Sequence, residues 1–236
     1  MLVLSEKLDV RTDLREKLSE LLRELVGKAS GGIVSVGRTT DGWMSVEADD
    51  EILVRSIIKL ETFMNPVASG KPPYTAYVRE VADDEIKIAY PTPSGKTVWK
   101  TMSTRRFAAT LGYDDDEARR FLEGVGIFRG SMVSVAADAA SALQLKLMRR
   151  MILKGLDVIF VMRAARQEVD HITQLPGISR LIADQQALTL SSHILYVKLG
   201  VSLYKVYEKV REAADAISKE IDLRPIPWIG PKQRYL

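Results

Sequence analysis

The sequence predicts an α+β protein: an N-terminal helix plus a small antiparallel β-sheet module, followed by a mainly α-helical bundle with one long C-terminal helix. Three patterns support this prediction. Leucines recur at helical spacing in residues 12–28, apolar and polar residues alternate in residues 74–102, and alternation largely disappears after residue 103. We therefore expect an α+β module over residues 1–102 and a helical domain with an extended tail over residues 103–236.

The first half of the chain predicts one helix and five or six short strands. The helix begins at a capping box formed by Asp13 and Glu16, and Asp41-Gly42 is a turn signal between two strands. Residues 52–64 fit helical and extended patterns equally well. The other predicted segments are a helix over residues 12–28, a hairpin over 33–36 and 43–47, and a three-stranded meander over 74–80, 85–90 and 96–102.

The second half reads mainly as helices. Residues 156–162 are ambiguous, because so short an apolar run also fits a buried strand. The tail over residues 224–236 contains three prolines around Trp228, so we expect it to be extended and to dock this ring on a neighbouring surface. The predicted helices cover residues 103–111, 114–123, 131–154, 156–174 and 185–222.

The long C-terminal helix is the segment from which assembly is inferred. One apolar stripe runs along its whole length, whereas a second stripe on the opposite face ends at Tyr204, so the later half should offer a single apolar edge. At about 1.5 Å per residue the helix would span about 55 Å, more than a compact domain needs. An internal bundle helix and an oligomerisation helix explain this pattern equally well. The expected contacts with another copy are Val206, Val210, Ala213, Ile217 and Ile221.

A basic segment and an aromatic sheet surface predict nucleic acid as an alternative partner. Residues 146–166 contain six basic residues and one acid, and four of the six share one helix face suited to a phosphate backbone. The meander interleaves aromatic and basic residues, which suits stacked bases. A solvated, ion-paired face and ordinary core packing are the alternatives. The candidate contacts are Lys146, Arg149, Arg150 and Lys154 on the helix, and Tyr77, Arg79 and Lys87 on the sheet.

Composition narrows the classes of function. The 236 residues include no cysteine, which excludes disulfides, thiolate metal sites and cysteine nucleophiles. The only imidazoles, His171 and His193, have no companion at metal-ligand spacing, so we expect no metal, no cofactor and no catalytic site. No apolar stretch approaches the roughly 20 residues that span a bilayer. The first ten residues lack the apolar core of a signal peptide, which favours a cytoplasmic protein.

These observations predict a non-enzymatic, self-associating structural or scaffold subunit that assembles as a homo-oligomer through its C-terminal helices. A nucleic-acid-binding protein that uses the basic helix face and the sheet surface is the alternative. An enzyme whose site forms only in three dimensions is the third hypothesis.

Overall fold

The chain folds as a mixed α/β protein built on three antiparallel sheets. The computed structural model describes residues 1–7, 11, 13–30 and 34–229, with the backbone alone for residues 28–30 and 34. This part contains twelve strands and eight helices. In chain order they are β1 (Leu2–Lys7), α1 (Leu14–Ser30), β2 (Val34–Arg38), β3 (Trp43–Ala48), α2 (Glu51–Glu61), β4 (Tyr74–Val81), β5 (Glu85–Pro91), β6 (Thr97–Ser103), α3 (Thr104–Thr110), α4 (Ala118–Gly124), β7 (Met132–Ala136), β8 (Ala139–Ala140), α5 (Ala142–Lys154), β9 (Val158–Met162), α6 (Arg166–Gln174), α7 (Pro176–Ser179), β10 (Ile182–Ala187), β11 (Ser192–Val197), α8 (Leu203–Ile217) and β12 (Asp222–Ile226).

Residues 1–68, the N-terminal unit, form a β-α-β-β-α-β arrangement. Strand β3 lies between β1 and β2 and is antiparallel to both, so β1 and β2 run parallel on either side of it. The fourth strand is reduced to a short segment beside β1, where Val67 bridges Leu4. Two backbone bonds hold this segment, Ser5 N to Pro66 O at 2.8 Å and Ala68 N to Val3 O at 2.8 Å. This is the split β-α-β arrangement called ferredoxin-like.

Residues 158–226, the C-terminal unit, repeat that arrangement with a complete fourth strand. The strand order is β10-β11-β9-β12, and all three pairings are antiparallel. Helix α6 follows the first strand and α8 follows the third, as α1 and α2 do in the N-terminal unit. Helices α2 and α8 therefore occupy equivalent positions. The sequence shows no internal repeat, so the duplication is visible only in the topology.

Residues 74–154, the central module, form a half-barrel between the two units. Its sheet has the order β6-β5-β4-β7-β8 and curls until its two edges approach each other. Lys100 Nζ, on β6, donates to Ala137 O at 2.7 Å, beside β8. Helix α3 closes the remaining gap, because Thr110 Oγ1 accepts a hydrogen bond from Ala140 N at 3.1 Å. The interior is filled by buried apolar side chains that include Val78, Ile88 and Phe107.

Each ferredoxin-like sheet is covered on both faces. In the N-terminal unit, one face packs under α1 and α2, and the other places Val3 and Trp43 against Ala89 of the half-barrel. In the C-terminal unit, one face packs under α6 and α8. The other face carries Phe160 and Tyr196, which pack with Phe128 and with residues of α5. Neither sheet therefore leaves an open face for stacking bases.

The predicted long C-terminal helix is wrong. Residues 185–222 instead contain half of β10, all of β11 and α8, and the first residue of β12. All six residues of β11 are buried, because its sheet is covered on both faces, so its side chains do not alternate between apolar and polar. Such a run carries no period-two signal, and its apolar residues continue the helical stripe of α8 by coincidence.

The predicted mainly helical bundle is also wrong. Residues 131–154 begin with the hairpin of β7 and β8, which turns at Ala137 with a φ of 55°, and become helical only at α5. Pairing of β7 with β4 overrides the helix preference of this alanine-rich segment. Residues 158–162 are a central strand, not helix, and α6 follows separately. The β4–β7 pairing also joins residues on both sides of the 102/103 boundary expected from the sequence.

Several local predictions are confirmed. The N-terminal helix, the first hairpin and the three-stranded meander correspond to α1, to β2 with β3, and to β4–β6. The ambiguous residues 52–64 begin as helix α2, capped by Asp50 Oδ1, which accepts from Leu53 N at 2.9 Å. Residue 12 of the predicted N-terminal helix, residue 33 of the predicted first hairpin and residues 230–236 of the predicted tail lie outside the described residues. Within the described part, no helix combines the length and the apolar character needed to cross a bilayer.

Candidate functional site

Helix α2 exposes an apolar flank that its own unit does not cover. Six of its eleven residues are apolar, yet only Val54 and Ile58 are buried. Ile52 is 80% exposed and Leu60 is 85% exposed, while Leu53 and Ile57 are half-buried. At about 100° per residue these four side chains lie on one side of the helix, within an arc of about 140°. We call Ile52, Leu53, Ile57 and Leu60 the α2 flank.

The equivalent helix of the C-terminal unit has no such flank. Helix α8 buries Leu203, Val206, Val210 and Ala214 against its sheet. Of its eight exposed residues six are charged, and the eight are Tyr204, Lys205, Glu208, Lys209, Arg211, Glu212, Asp215 and Ala216. Because the two helices occupy the same position in the same arrangement, the fold does not require the apolar flank of α2. Exposed apolar surface without a structural role is typical of an interaction site.

The charges of α2 lie mostly away from the α2 flank. Glu51 is at the N-terminus, about 100° around the helix from Ile52 on the side away from the flank, and it pairs with the amino group of Met1. Lys59 borders the flank next to Ile52, and neither Arg55 nor Lys59 forms an ion pair within the described residues. At the other end, Glu61 pairs with Arg166 of α6. Lys59 is therefore the charged residue of α2 that lies beside the apolar flank without an ion-pair partner among the described residues.

The residues predicted to contact another copy lie inside the C-terminal unit. Val206 and Val210 are fully buried, Ile221 is buried, and Ala213 and Ile217 are half-buried. All five belong to the cluster that packs α8 on its own sheet. The apolar stripe is real, but the chain itself covers it, so these residues form no free edge.

Helix α5 carries the predicted basic face. Lys146, Arg149 and Arg150 are exposed, and Lys154 is half-buried with its ammonium group 3.7 Å from the centre of the Tyr196 ring. Asp184 pairs with Lys154 and lies 3.9 Å from Arg150. Lys146 and Arg149 have no carboxylate partner in the described part of the chain. The four predicted residues thus come together on one helix, and two of them remain free of ion pairs.

The three predicted contacts on the sheet each interact with other residues of the chain. Tyr77 is half-buried and packs between the central module and the two ferredoxin-like units. Arg79 lies over the exposed ring of Trp99 at 5.9 Å. Lys87 donates to Glu80 at 3.0 Å and lies 3.8 Å from Glu85, and the bond to Glu80 raises its pKa. The aromatic and basic residues of this sheet are therefore engaged within the chain.

The junction of the two ferredoxin-like units is rich in buried polar groups. Glu6 accepts hydrogen bonds from Leu190 N at 2.6 Å and from the hydroxyl of Ser191. Burial raises the pKa of Glu6, although these hydrogen bonds oppose the shift. Burial also acts to raise the pKa of Glu168, but hydrogen bonds from Arg11 outweigh it and lower that pKa. These hydrogen bonds connect the two units. The carboxyl groups of Glu6 and Glu168 are therefore both engaged in contacts within the chain.

A small cavity lies at the same junction. Thr189 and His193 line it beneath Leu21 and Leu25 of α1, and the Glu61–Arg166 ion pair borders it. Its volume of ≈ 10 Å³ is close to the room of one water molecule. His193 Nε2 lies 3.0 Å from Ala164 O, and burial lowers the pKa of its ring to about 4. His193 is therefore a neutral structural histidine at neutral pH.

Comparisons with known proteins add no assignment. The chain matches no protein-family model, no curated protein and no solved structure. Among the described residues, no group of three or more histidine, aspartate or glutamate side chains is placed to hold a metal ion. The candidate sites are consequently the α2 flank and the basic face of α5.

The α2 flank was not predicted from the sequence, although a signal was present. Residues 52–64 fitted helical and extended patterns equally well because apolar residues occupy more than one stripe of α2. Once the segment is known to be a helix, these additional apolar residues are seen to lie outside the single face that packs on the sheet. They therefore identify the exposed flank.

Proposed function

We propose that this protein is a self-associating structural subunit whose copies pair through the α2 flank. The observation that carries the proposal is the exposure of Ile52 and Leu60 on a helix whose counterpart, α8, exposes mainly charged residues. The commitment of Glu6, Glu168 and His193 to internal contacts supports a structural role over a catalytic one.

A second copy of the same chain fits this surface through its apolar pattern. In an antiparallel pair with its two-fold axis near Ser56, Ile52 of one copy faces Leu60 of the other, and each contact occurs twice. The two most exposed side chains of the α2 flank therefore cover each other across the interface.

The size of the flank predicts a weak, concentration-dependent pair. Full burial of an exposed isoleucine or leucine contributes about 1.5–3 kcal/mol. Each copy buries two such residues and two half-buried ones. The free energy gained from their burial must offset an association cost of about 4–15 kcal/mol. We expect the equilibrium to be measurable in the micromolar range, with monomer and dimer both populated.

Sedimentation equilibrium over a range of concentrations tests the proposal. The unmodified chain should dimerise, and Ile52→Lys with Leu60→Lys should remain monomeric. The matched control replaces Leu153 and Leu199 with lysine, because these leucines are 84% and 81% exposed but lie away from α2. A monomeric unmodified chain, or equal weakening by the control, would contradict the proposal.

A further inference from the structure

We infer that the outer face of α5 binds the phosphate backbone of nucleic acid, independently of any pairing through α2. Helix α5 contains four cations and no acid over its thirteen residues. Ordinary solvated helices mix the two signs, as α8 does with Lys205, Lys209 and Arg211 against Glu208, Glu212 and Asp215. A helix face of one sign attracts a partner of the other.

The cations are arranged along the axis of the helix. Lys146, Arg150 and Lys154 follow one another at intervals of four residues, and Arg149 lies beside them. At about 1.5 Å per residue the row spans about 12 Å. One strand of duplex DNA presents three or four phosphates over about that length, since they repeat every ~3.4 Å of helix axis. The row therefore matches a short stretch of a single backbone.

Two of the four cations are ready to bind without breaking an internal contact. Lys146 and Arg149 are exposed and lack a carboxylate partner within the described residues. Arg150 and Lys154 share Asp184, which leaves the four-residue row with a surplus of positive charge. We expect Lys146 and Arg149 to supply most of the affinity.

The chemistry of the face favours nucleic acid over a membrane surface. Leu153 is the only large apolar side chain that α5 fully exposes, whereas interfacial helices bury a continuous apolar face in the lipid. Helix α5 itself contributes no aromatic ring on which a base could stack. Contacts with phosphates alone do not distinguish one base sequence from another, so binding should be independent of sequence. It should also be stronger for duplex DNA than for single strands, because the duplex has the higher charge density.

Fluorescence anisotropy with a labelled DNA duplex of about 20 base pairs tests the inference at several salt concentrations. Two to four phosphate contacts predict that the Kd rises roughly 10- to 150-fold between about 50 and 200 mM salt. Lys146→Gln with Arg149→Gln should reduce the slope of log K against log salt by about 2. Lys146→Glu with Arg149→Glu should weaken binding at least tenfold at about 50 mM salt.

The matched control is Lys205→Glu with Lys209→Glu on α8, which removes the same charge from a face of mixed sign. It should change the Kd less than twofold. Three results would overturn the inference: affinity that does not depend on salt, equal loss in the α8 control, or binding to phosphatidylserine vesicles with none to the duplex. Circular dichroism of each variant shows whether its total helix content matches that of the unmodified chain.

Discussion

Arg11 and Glu168, 157 residues apart in sequence, form a buried two-pronged ion pair between the two ferredoxin-like units. Arg11 Nη1 donates to Glu168 Oε2 at 2.7 Å, and Nη2 donates to Oε1 at 2.6 Å. Asp13 accepts from the same guanidinium at 2.7 and 2.8 Å, and Arg11 Nη1 also donates to Arg163 O. The pair connects the segment before α1 with the first turn of α6, so it joins the N-terminal and C-terminal units.

Removing one member of this pair should destabilise the whole protein. Arg11→Met leaves Glu168 buried without its main partner, and loss of a buried partner typically costs about 3–5 kcal/mol. Urea unfolding measures the change. The control is Glu61→Gln, which breaks the more exposed Glu61–Arg166 pair and should cost no more than about 1 kcal/mol. Similar losses of unfolding free energy for the two substitutions would show that the buried pair stabilises the protein no more than the exposed pair does.

Because His193 is buried, we expect the protein to lose stability in mild acid. Its folded-state pKa is about 4, below the ordinary value of 6.5, because burial disfavours the charged ring. Between these two values the unfolded chain binds a proton that the folded chain does not, so stability falls as the pH falls from 6.5 towards 4. The difference between these two pKa values corresponds to about 3 kcal/mol.

The variant His193→Gln tests this prediction, since glutamine can keep a hydrogen bond to Ala164 O but does not titrate. Urea unfolding at pH values on either side of the transition should show a smaller acid-induced loss for the variant than for the unmodified chain. The buried carboxyl groups titrate in both proteins, so their contribution cancels in the difference. Exposed His171→Gln is the control for the loss of an imidazole outside the buried junction.

Gly126 should not tolerate alanine. Its φ is +86°, and a Cβ built at this position would lie 2.3 Å from Cζ of Phe160, whose ring packs edge-on with Phe128 at 5.3 Å. Gly112 has a similar φ of +85° but open space around it. Alanine at residue 112 should cost only the backbone strain, about 1–2 kcal/mol. Alanine at residue 126 should cost clearly more, and equal unfolding free energies would refute the contact with Phe160.

Thr110 should close the half-barrel through its hydroxyl group. Thr110→Val removes the acceptor of the Ala140 amide and should cost about 1–3 kcal/mol, because that amide is left without its partner. Hydrogen exchange of the Ala140 amide should accelerate while exchange in the β4–β5 pair stays slow. Exposed Thr101→Val on β6 is the control. Unchanged protection at Ala140 would mean that another contact holds the β8 edge.

Local periodicity predicted the elements that have one buried face. The meander was predicted from sequence because Ile86 and Ile88 alternate with exposed Glu85 and Lys87 along β5. Strand β11 could not be predicted in this way, because all of its residues are buried between two covering layers. The basic face of α5 was placed correctly on a helix, since its cations follow the helical period even though the helix begins later than expected.

The amino-acid sequence alone determined which side chains avoid water and which local periods they follow, including the apolar stripe of Val206 and Val210. Only the tertiary structure decided what covers each stripe. Which segment covers a stripe depends on contacts between parts of the chain that are far apart in sequence, such as β9 with β12 and Arg11 with Glu168. No local pattern encodes these contacts. The stripe of α8 is covered by its own sheet, whereas the flank of α2 is left exposed for a partner of the kind proposed above.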